Sequence, residues 1–287
     1  MAFKDGDLNL PESNNTFPDL LDEVDFGSRF IRGMLPSNGG LASHKVHNHA
    51  WSTFVITVED ENESNAAGLR SAMASSTPAT YAVARVNAQL ARVWSANGGD
   101  EGHITNLWNT AKDAWARADG TTKVYDATEA SPGPAIGGGD YHDSEINDDR
   151  YAAACEMYWT AYALGDGDVG AYKTAVTGSR FFTQMSQWDW ATVAGAGTLS
   201  LHAVDNDLSL PIETRIITNI LSFADKIKVR NASTPVKKCF PPPSRKPVYP
   251  PKLFVLSLHM FSQQLTPRAT LPTWIFLLIS ASIHGAR

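Results

Sequence analysis

The sequence "GGGDYHDSEINDDRYAAACEMYW", residues Gly137 to Trp159, joins a glycine-rich loop to a long apolar run. Five acidic residues gather at this junction: Asp140, Asp143, Glu145, Asp148 and Asp149. From Asp148 to Leu164, apolar residues recur along one side of a helix. We therefore predict a helix over residues 148–164 that packs into a core and carries several carboxylates at its N-terminal end.

Composition alone leaves two interpretations of these acidic residues open. Carboxylates so close together repel each other unless a positive charge lies among them. Ca²⁺ binds about six to eight oxygen ligands from carboxylates, hydroxyls and carbonyls. The stretch offers such ligands: the Ser144 hydroxyl, the Glu145 carbonyl and the carboxylates of Asp148 and Asp149. Alternatively, the acidic residues only complement the positive end of the helix dipole, with Asn147 as the N-cap.

Apolar residues at helical spacing predict further helices on both sides of this one. They lie in "PDLLDEVDFGSRFIRGM" (18–34), "ATYAVARVNAQLARVWSA" (79–96) and "ITNLWNTAKDAWARA" (104–118), and at 191–203 and 212–227. The first of these places six apolar residues at helical spacing: Leu20, Leu21, Val24, Phe26, Phe30 and Ile31. The only good strand signal is "STFVITVED" (52–60). The pattern predicts an all-α architecture with functional loops between the helices.

Length, charge and cysteine content limit the possible function classes. A chain of 287 residues can bury a core as one large domain or two smaller ones. Its two cysteines, Cys155 and Cys239, provide no disulfide framework. No apolar run reaches membrane-spanning length, and we expect neither a membrane nor a nucleic-acid partner. The N-terminal residues are polar, and from them we expect no signal peptide in this chain. Three glycosylation sequons, at Asn14, Asn62 and Asn231, are compatible with secretion.

The last 62 residues differ in composition from the rest. Up to Asp225 the chain has 30 acidic and 14 basic residues, whereas the remainder has ten basic residues and no acidic one. Nine of the 16 prolines fall here, and "KKCFPPPSRKPVYPPK" (237–252) excludes a helix or a central strand. We predict a domain over residues 1–229 and an irregular, basic, Pro-rich tail over 230–287. The tail either contacts an acidic partner or, as we favour, is not evolved domain sequence.

Five segments resemble, in order, the sequence of glycoside hydrolase family 9, the cellulases with an (α/α)6 barrel. They are "DGDLNLPESNNTFPDLLDEVDFGSRFIRGM" (5–34), "GGLASHKVHNHAW" (39–51), "SSTPATYAVARVNAQLARVW" (75–94), "GGGDYHDSEINDDRYAAACEMYWTAYALGDGDVGAY" (137–172) and "QWDWATVAGAGTLSL" (187–201). The resemblance covers about residues 4 to 225. It implies a partial (α/α)6 barrel, about half to two-thirds of the toroid.

The resemblance also implies site residues. A structural calcium ion often lies beside this helix start in the family, and its ligands match Ser144, Glu145 (main chain), Asp148, Asp149 and Asp189. The family usually has Glu where this chain has Asp149, so that ligand is in doubt. The substrate-side loop of the family matches His44 and Lys45, and Trp188 or Trp190 would line the cleft. The alternative for this loop is a solvated polar segment without a ligand.

Family members hydrolyse β-1,4-glucans with inversion, which requires two carboxyl groups about 6.5–9.5 Å apart. The base belongs to a D-A-G-D motif and the acid to an N-E-x-A-like segment, and the sequence contains neither. We therefore assign no catalytic residue. The resemblance implies a fragment of a secreted glycosidase acting on cellulose or related β-glucans, inactive as this chain. The alternative is a non-catalytic helical module that binds glucan or calcium.

Overall fold

The computed structural model describes residues 4–48, 70–126, 141–187, 189–204 and 207–233. Within these ranges the chain forms seven helices and two short strands. They are α1 (Asp19–Gly33), β1 (Val46–Asn48), β2 (Arg70–Ala72), α2 (Thr77–Ala96), α3 (Glu101–Ala118), α4 (Ile146–Leu164), α5 (Val169–Thr177), α6 (Ala194–Ala203) and α7 (Leu210–Ser233). None of these helices combines the length and apolarity needed to cross a lipid bilayer.

The helices follow the sequence periodicity closely, with one addition. All six predicted helices are present, and α5 is a seventh, of nine residues, that the periodicity did not reveal. The helix predicted from residue 191 begins at Ala194, because Asp189 and Thr192 form a β-bridge just before it. β1 and β2 pair antiparallel, with Val46 opposite Ala72.

Two sequence predictions concern parts of the chain that the structure does not describe. The strand predicted at 52–60 lies outside the described residues. The predicted tail over 230–287 also lies almost entirely outside them, so the domain boundary after residue 229 stays a prediction.

Helices α2, α4 and α6 form one row. α4 packs between α2 and α6, and each member of this row contacts the helix that follows it in the chain: α3, α5 and α7, respectively. α1 packs against α2 at one end of the row. This alternation between two layers is the arrangement expected for consecutive helices of an α/α toroid.

The middle of helix α4 is buried on all sides. Every residue from Tyr151 to Ala161 is buried, so the helix is not exposed along one side as its sequence pattern indicated. The reason is its position, because four helices surround it. On the α6 side the approach is close: a Cβ atom added to Gly197 would lie 2.9 Å from the Cα atom of Ala152. The absence of a side chain at Gly197 therefore allows α6 to pack closely against α4.

A buried carboxylate ties this row of helices together. Glu156 in the middle of α4 is 2% exposed. Its Oε2 accepts a hydrogen bond from Arg92 Nη2 in α2 at 2.6 Å, and its Oε1 accepts one from Gln89 Nε2 at 3.3 Å. The Ser200 hydroxyl of α6 donates to the same Oε1. One side chain of α4 is thus bonded to both neighbouring helices of its row.

Helix α1 corrects one sequence expectation. Of its six apolar residues at helical spacing, Phe26 and Phe30 are 54% and 61% exposed. Leu21 is buried as expected, but the other buried residues of α1 are polar and include Asp25 and Ser28. Asp25 accepts hydrogen bonds from Ser28 and Arg32, which satisfies its carboxylate inside the structure.

We expect Glu156→Ala to lower the free energy of unfolding by about 3–5 kcal/mol, because Arg92 would keep a buried charge without its partner. Urea unfolding followed by circular dichroism measures this change. The matched control is Asp113→Ala, which removes an exposed carboxylate that pairs with Arg117 one turn later in α3. That change should cost no more than about 1 kcal/mol. Equal losses in the two variants would contradict the central role of Glu156.

Candidate functional site

The start of α4 brings three carboxylates together. Oxygen atoms of Asp143, Asp148 and Asp149 all lie within 4.8 Å of one another. Asp143 and Asp148 are 4% and 1% exposed, respectively, so this acidic cluster is buried and not a solvated surface. Glu145 caps the helix, because its side chain accepts a hydrogen bond from the Asn147 backbone N–H at 3.2 Å. Asn147 is therefore not the N-cap, contrary to the simpler interpretation of the sequence.

Backbone N–H groups hold the acidic cluster in place. Asp143 Oδ1 accepts a hydrogen bond from Glu145 N at 2.9 Å. Asp148 Oδ1 accepts one from Asp149 N at 3.0 Å, and Asp148 Oδ2 accepts one from Val193 N at 2.7 Å. Within the described residues, the buried Oδ2 atom of Asp149 has no hydrogen-bond partner. An unpartnered buried carboxylate oxygen is costly and marks a place for a cation or a proton.

The electrostatics of the acidic cluster disfavour three negative charges. Burial raises the pKa of Asp148 to about 6, and the nearby Asp143 charge adds to the shift. Burial and the charges of Asp148 and Asp143 raise the pKa of Asp149 well above its usual value. A cation among these groups would reverse the balance, because opposite charge favours the ionised carboxylate.

The geometry fits a hard divalent cation. Ca²⁺–oxygen distances of about 2.3–2.6 Å place two ligands on opposite sides of the ion about 4.6–5.2 Å apart. The oxygen atoms of the acidic cluster lie within 4.8 Å of one another, which is close enough for all three carboxylates to contact one such ion. Three carboxylates, one of them with a free buried oxygen, form a site that could hold a metal ion.

The structure assembles part of the predicted ligand set. Asp148 and Asp149 lie together, and Asp143, which was not among the predicted ligands, lies beside them. The Ser144 side chain is exposed and lines a cavity with Arg150. The Glu145 carboxylate pairs with Arg180, which leaves only its main-chain carbonyl for the predicted role. Asp143 belongs to the acidic stretch from which the prediction started, so its charge and position were the available signal.

Asp189 reaches the acidic cluster only through its neighbours. Its backbone N–H donates to Thr192 O at 3.0 Å, and its Oδ1 accepts from Ala191 N at 3.0 Å. The turn formed in this way leads to Val193, whose N–H bonds to Asp148. The turn is therefore bound to the start of α4, and the role of Asp189 as a ligand stays a prediction.

His44, from the predicted substrate-side loop, is fixed between two elements. Its Nε2 lies 2.8 Å from Tyr141 O and its Nδ1 lies 2.8 Å from the Ser76 hydroxyl oxygen. The ring stacks on Tyr125 with a centroid distance of 4.4 Å. Burial lowers the pKa of His44, so the ring is neutral at pH 7. Neutral His44 donates from Nε2, since a carbonyl can only accept, and Nδ1 then accepts from Ser76.

Lys45 and two exposed aromatic rings form a surface beside His44. Lys45 Nζ lies 5.0 Å from the ring centroid of Tyr125 and 5.7 Å from that of Tyr141. Tyr141 and Trp190 meet edge to face at 5.8 Å and are 52% and 66% exposed. We refer to Lys45, Tyr141 and Trp190 as the aromatic surface. The predicted Trp188 lies outside the described residues.

Comparison with known proteins identifies a family and several relatives. The sequence model of Glycosyl hydrolase family 9 matches residues 7–273. The cellulose 1,4-beta-cellobiosidase of Acetivibrio thermocellus is 30% identical over 250 residues, 78% of this chain and 26% of that protein. Endoglucanase C of Cellulomonas fimi is 34% identical over 214 residues, 72% of this chain and 18% of that protein. This chain thus spans about a quarter or less of the length of these relatives.

Solved structures show the same fold. A metagenome-derived glycoside hydrolase family 9 endoglucanase superposes with a TM-score of 0.62 at 26% identity, covering 78% of this chain and 38% of that protein. A Bacteroides ovatus family 9 protein superposes with a TM-score of 0.60 at 23% identity, covering 79% and 40%. The expectation of a partial (α/α)6 barrel is confirmed, with α1 to α7 forming part of the toroid.

We expect the acidic cluster to make the protein less stable as the pH rises in the presence of a chelator. Asp148 has a raised pKa of about 6. Its protonated form therefore contributes to the free energy of unfolding fully below the usual Asp pKa, and this contribution is lost as the pH rises through about 6. In Asp149→Asn the repulsion is relieved, and unfolding free energy should fall less between about pH 4 and pH 7. Urea unfolding at several pH values measures the difference from wild type.

Asp113→Asn is the control for this experiment, because it removes an exposed carboxylate from α3, remote in sequence from the acidic cluster. Its pH profile should parallel that of the wild type. Parallel profiles for wild type and Asp149→Asn would show that the three carboxylates do not interact as the structure indicates.

Proposed function

Because this chain belongs to glycosyl hydrolase family 9, we propose that it provides part of a cellulase-type enzyme that hydrolyses β-1,4-glucosidic bonds in cellulose or related β-glucans. The names of its relatives support this substrate class, since they include a cellobiosidase and an endoglucanase. A polymeric, insoluble substrate also supports secretion of the parent protein. The exposed sequon residue Asn14 is compatible with that location.

The aromatic surface is the observation that carries the proposal. A glucose ring presents an apolar C–H face and a rim of hydroxyl groups, so it is recognised by an exposed ring together with hydrogen-bonding side chains. Trp190 and Tyr141 offer exposed rings, and Lys45 offers an ammonium donor beside them. His44 holds the backbone of Tyr141 in place, because its Nε2 donates a hydrogen bond to the Tyr141 carbonyl.

Glucan binding and glucan hydrolysis are separable in this chain. Inversion requires a positioned acid and a positioned base, and each contributes orders of magnitude to the rate. The sequence has neither a D-A-G-D motif nor an N-E-x-A-like segment, and no residue after Asp225 is acidic. This chain alone is therefore proposed to bind glucan without cleaving it, which is also the behaviour of the alternative, a non-catalytic binding module.

We also propose that the acidic cluster binds calcium as a structural ion. The support is the burial of Asp143 and Asp148, the unpartnered oxygen of Asp149 and the spacing of the three carboxylates. Main-chain oxygen of Glu145 and side chains of Ser144 and Asp189 are further candidate ligands from the sequence resemblance. The ion would secure the turn before α6 to the start of α4, and thereby stabilise the folded state.

Trp190→Ala should weaken the binding of cellohexaose about 3- to 10-fold, because the exposed ring supplies the stacking area. Isothermal titration calorimetry measures the affinity. Tyr162→Ala is the matched control, since Tyr162 is also exposed but lies near the opposite end of α4. Equal affinities for wild type and Trp190→Ala would remove the main support for the proposed function.

The wild-type chain should release no reducing ends from carboxymethylcellulose. Measurable turnover would place a catalytic pair in this chain.

Millimolar CaCl₂ should raise the melting temperature of the wild-type protein at pH 7, and a chelator should reverse the effect. The increase should be smaller at pH 5, where Asp148 and Asp149 are more protonated and must release protons to bind the ion. Asp149→Asn should lose most of the response. MgCl₂ is the comparison, because Mg²⁺ retains its water more strongly. No response to CaCl₂ at either pH would exclude the calcium site.

A further inference from the structure

The cavity that Ser144 and Arg150 line lies between the end of α3 and the start of α4. Its volume is about 550 Å³, within the range of about 300–1,000 Å³ that small-molecule sites occupy. Its lining combines polar and apolar side chains: Tyr81, Asp119, Val124, Ser144, Ile146 and Arg150. Neither the proposed glucan contact nor the proposed calcium site uses these side chains, Ser144 excepted.

An ion pair is fixed on the wall of this cavity. Arg150 Nε donates to Asp119 Oδ1 at 2.7 Å, and the Tyr81 hydroxyl donates to the same oxygen at 3.3 Å. The Arg150 guanidinium also lies over the Trp115 ring, 5.4 Å from its centroid. These contacts hold both charged groups in one orientation before any ligand arrives, which lowers the entropic cost of binding.

The same contacts leave unused hydrogen-bonding capacity facing the cavity. Asp119 Oδ2 accepts no hydrogen bond from the residues that the structure describes. A guanidinium has five N–H donors, of which Asp119 takes one. A strong acceptor and a strong donor therefore lie side by side.

The charges determine which ligand class fits. Asp119 balances the charge of Arg150, so the cavity has no net attraction for an anion such as phosphate. Adjacent hydroxyl groups of a sugar each donate and accept, which matches a neighbouring carboxylate and guanidinium. Val124 and Ile146 add apolar surface for the C–H groups of such a ring.

We propose that this cavity binds a neutral mono- or disaccharide, independently of the aromatic surface. The loop after α3 separates the two places: Tyr125 stacks on His44, whereas Thr122 and Val124 line the cavity. The choice of a glucose-type sugar as ligand rests on the proposed function, whereas the cavity contacts do not depend on it.

Two exposed residues on the lining allow the cavity to be filled without touching its ion pair. Thr122→Trp and Val124→Trp should each weaken the binding of cellobiose at least about tenfold, as measured by ligand-observed NMR titration. Asp119→Asn should also weaken it, because the acceptor loses its charge while its shape is kept. Trp190→Ala should leave cellobiose affinity for the cavity unchanged, which separates this site from the aromatic surface.

The proposal is overturned by any of three results. These are no cellobiose binding to the wild type at concentrations on the order of 100 mM, equal affinity in the wild type and in both Trp variants, or tighter binding of inorganic phosphate than of cellobiose. Melting temperatures of all variants are measured in parallel. If a Trp variant unfolds, the other Trp variant and Asp119→Asn still decide the outcome. Unchanged cellohexaose binding in Trp190→Ala counts only against the proposed function, so the two failures are distinguishable.

Discussion

The buried Glu156 carboxylate constrains the rotation and height of α4 more than any apolar contact does. Apolar packing tolerates small shifts, whereas a buried charge that loses its partners costs several kcal/mol. Helix α4 can therefore settle only where Arg92 of α2 and Ser200 of α6 both reach Glu156. Because α2, α4 and α6 form one row, this network sets how three elements of the toroid lie against each other. The close contact at Gly197 then follows, since only a residue without a side chain fits that spacing.

The rotation of α4 in turn assigns the residues of its first turn to two different neighbours. Asp148 faces the turn before α6, where Val193 donates to its carboxylate. Arg150, two residues later, points towards α3 and pairs with Asp119. The two residues are about 200° apart around the helix axis, so one helix start contributes to two separate sites. A different rotation of α4 would disrupt both sites at once.

Sequence periodicity predicted the helices but not which sides of them are buried. Periodicity reports apolar residues, but in α1 most of the buried side chains are polar, so Phe26 and Phe30 were misplaced. The carboxylates next to each other in sequence were predictable as a cluster, whereas the aromatic surface was predictable only in part. Its contacts join residues far apart, as in the bond between His44 and the Tyr141 carbonyl, 97 positions away. Trp190 is exposed because it lies in a turn, whereas the helical Trp159 is buried in the core.

The acidic cluster and the aromatic surface are linked by the chain itself. Tyr141 precedes Asp143 by two residues, and Trp190 precedes Val193 by three, so each ring belongs to a segment that is hydrogen-bonded at the acidic cluster. The two rings touch only because these segments come together there. Repulsion among the three carboxylates acts against this contact, and a bound cation would act in its favour by drawing both segments towards one centre. A structural ion in this position would therefore influence the aromatic surface without contacting it.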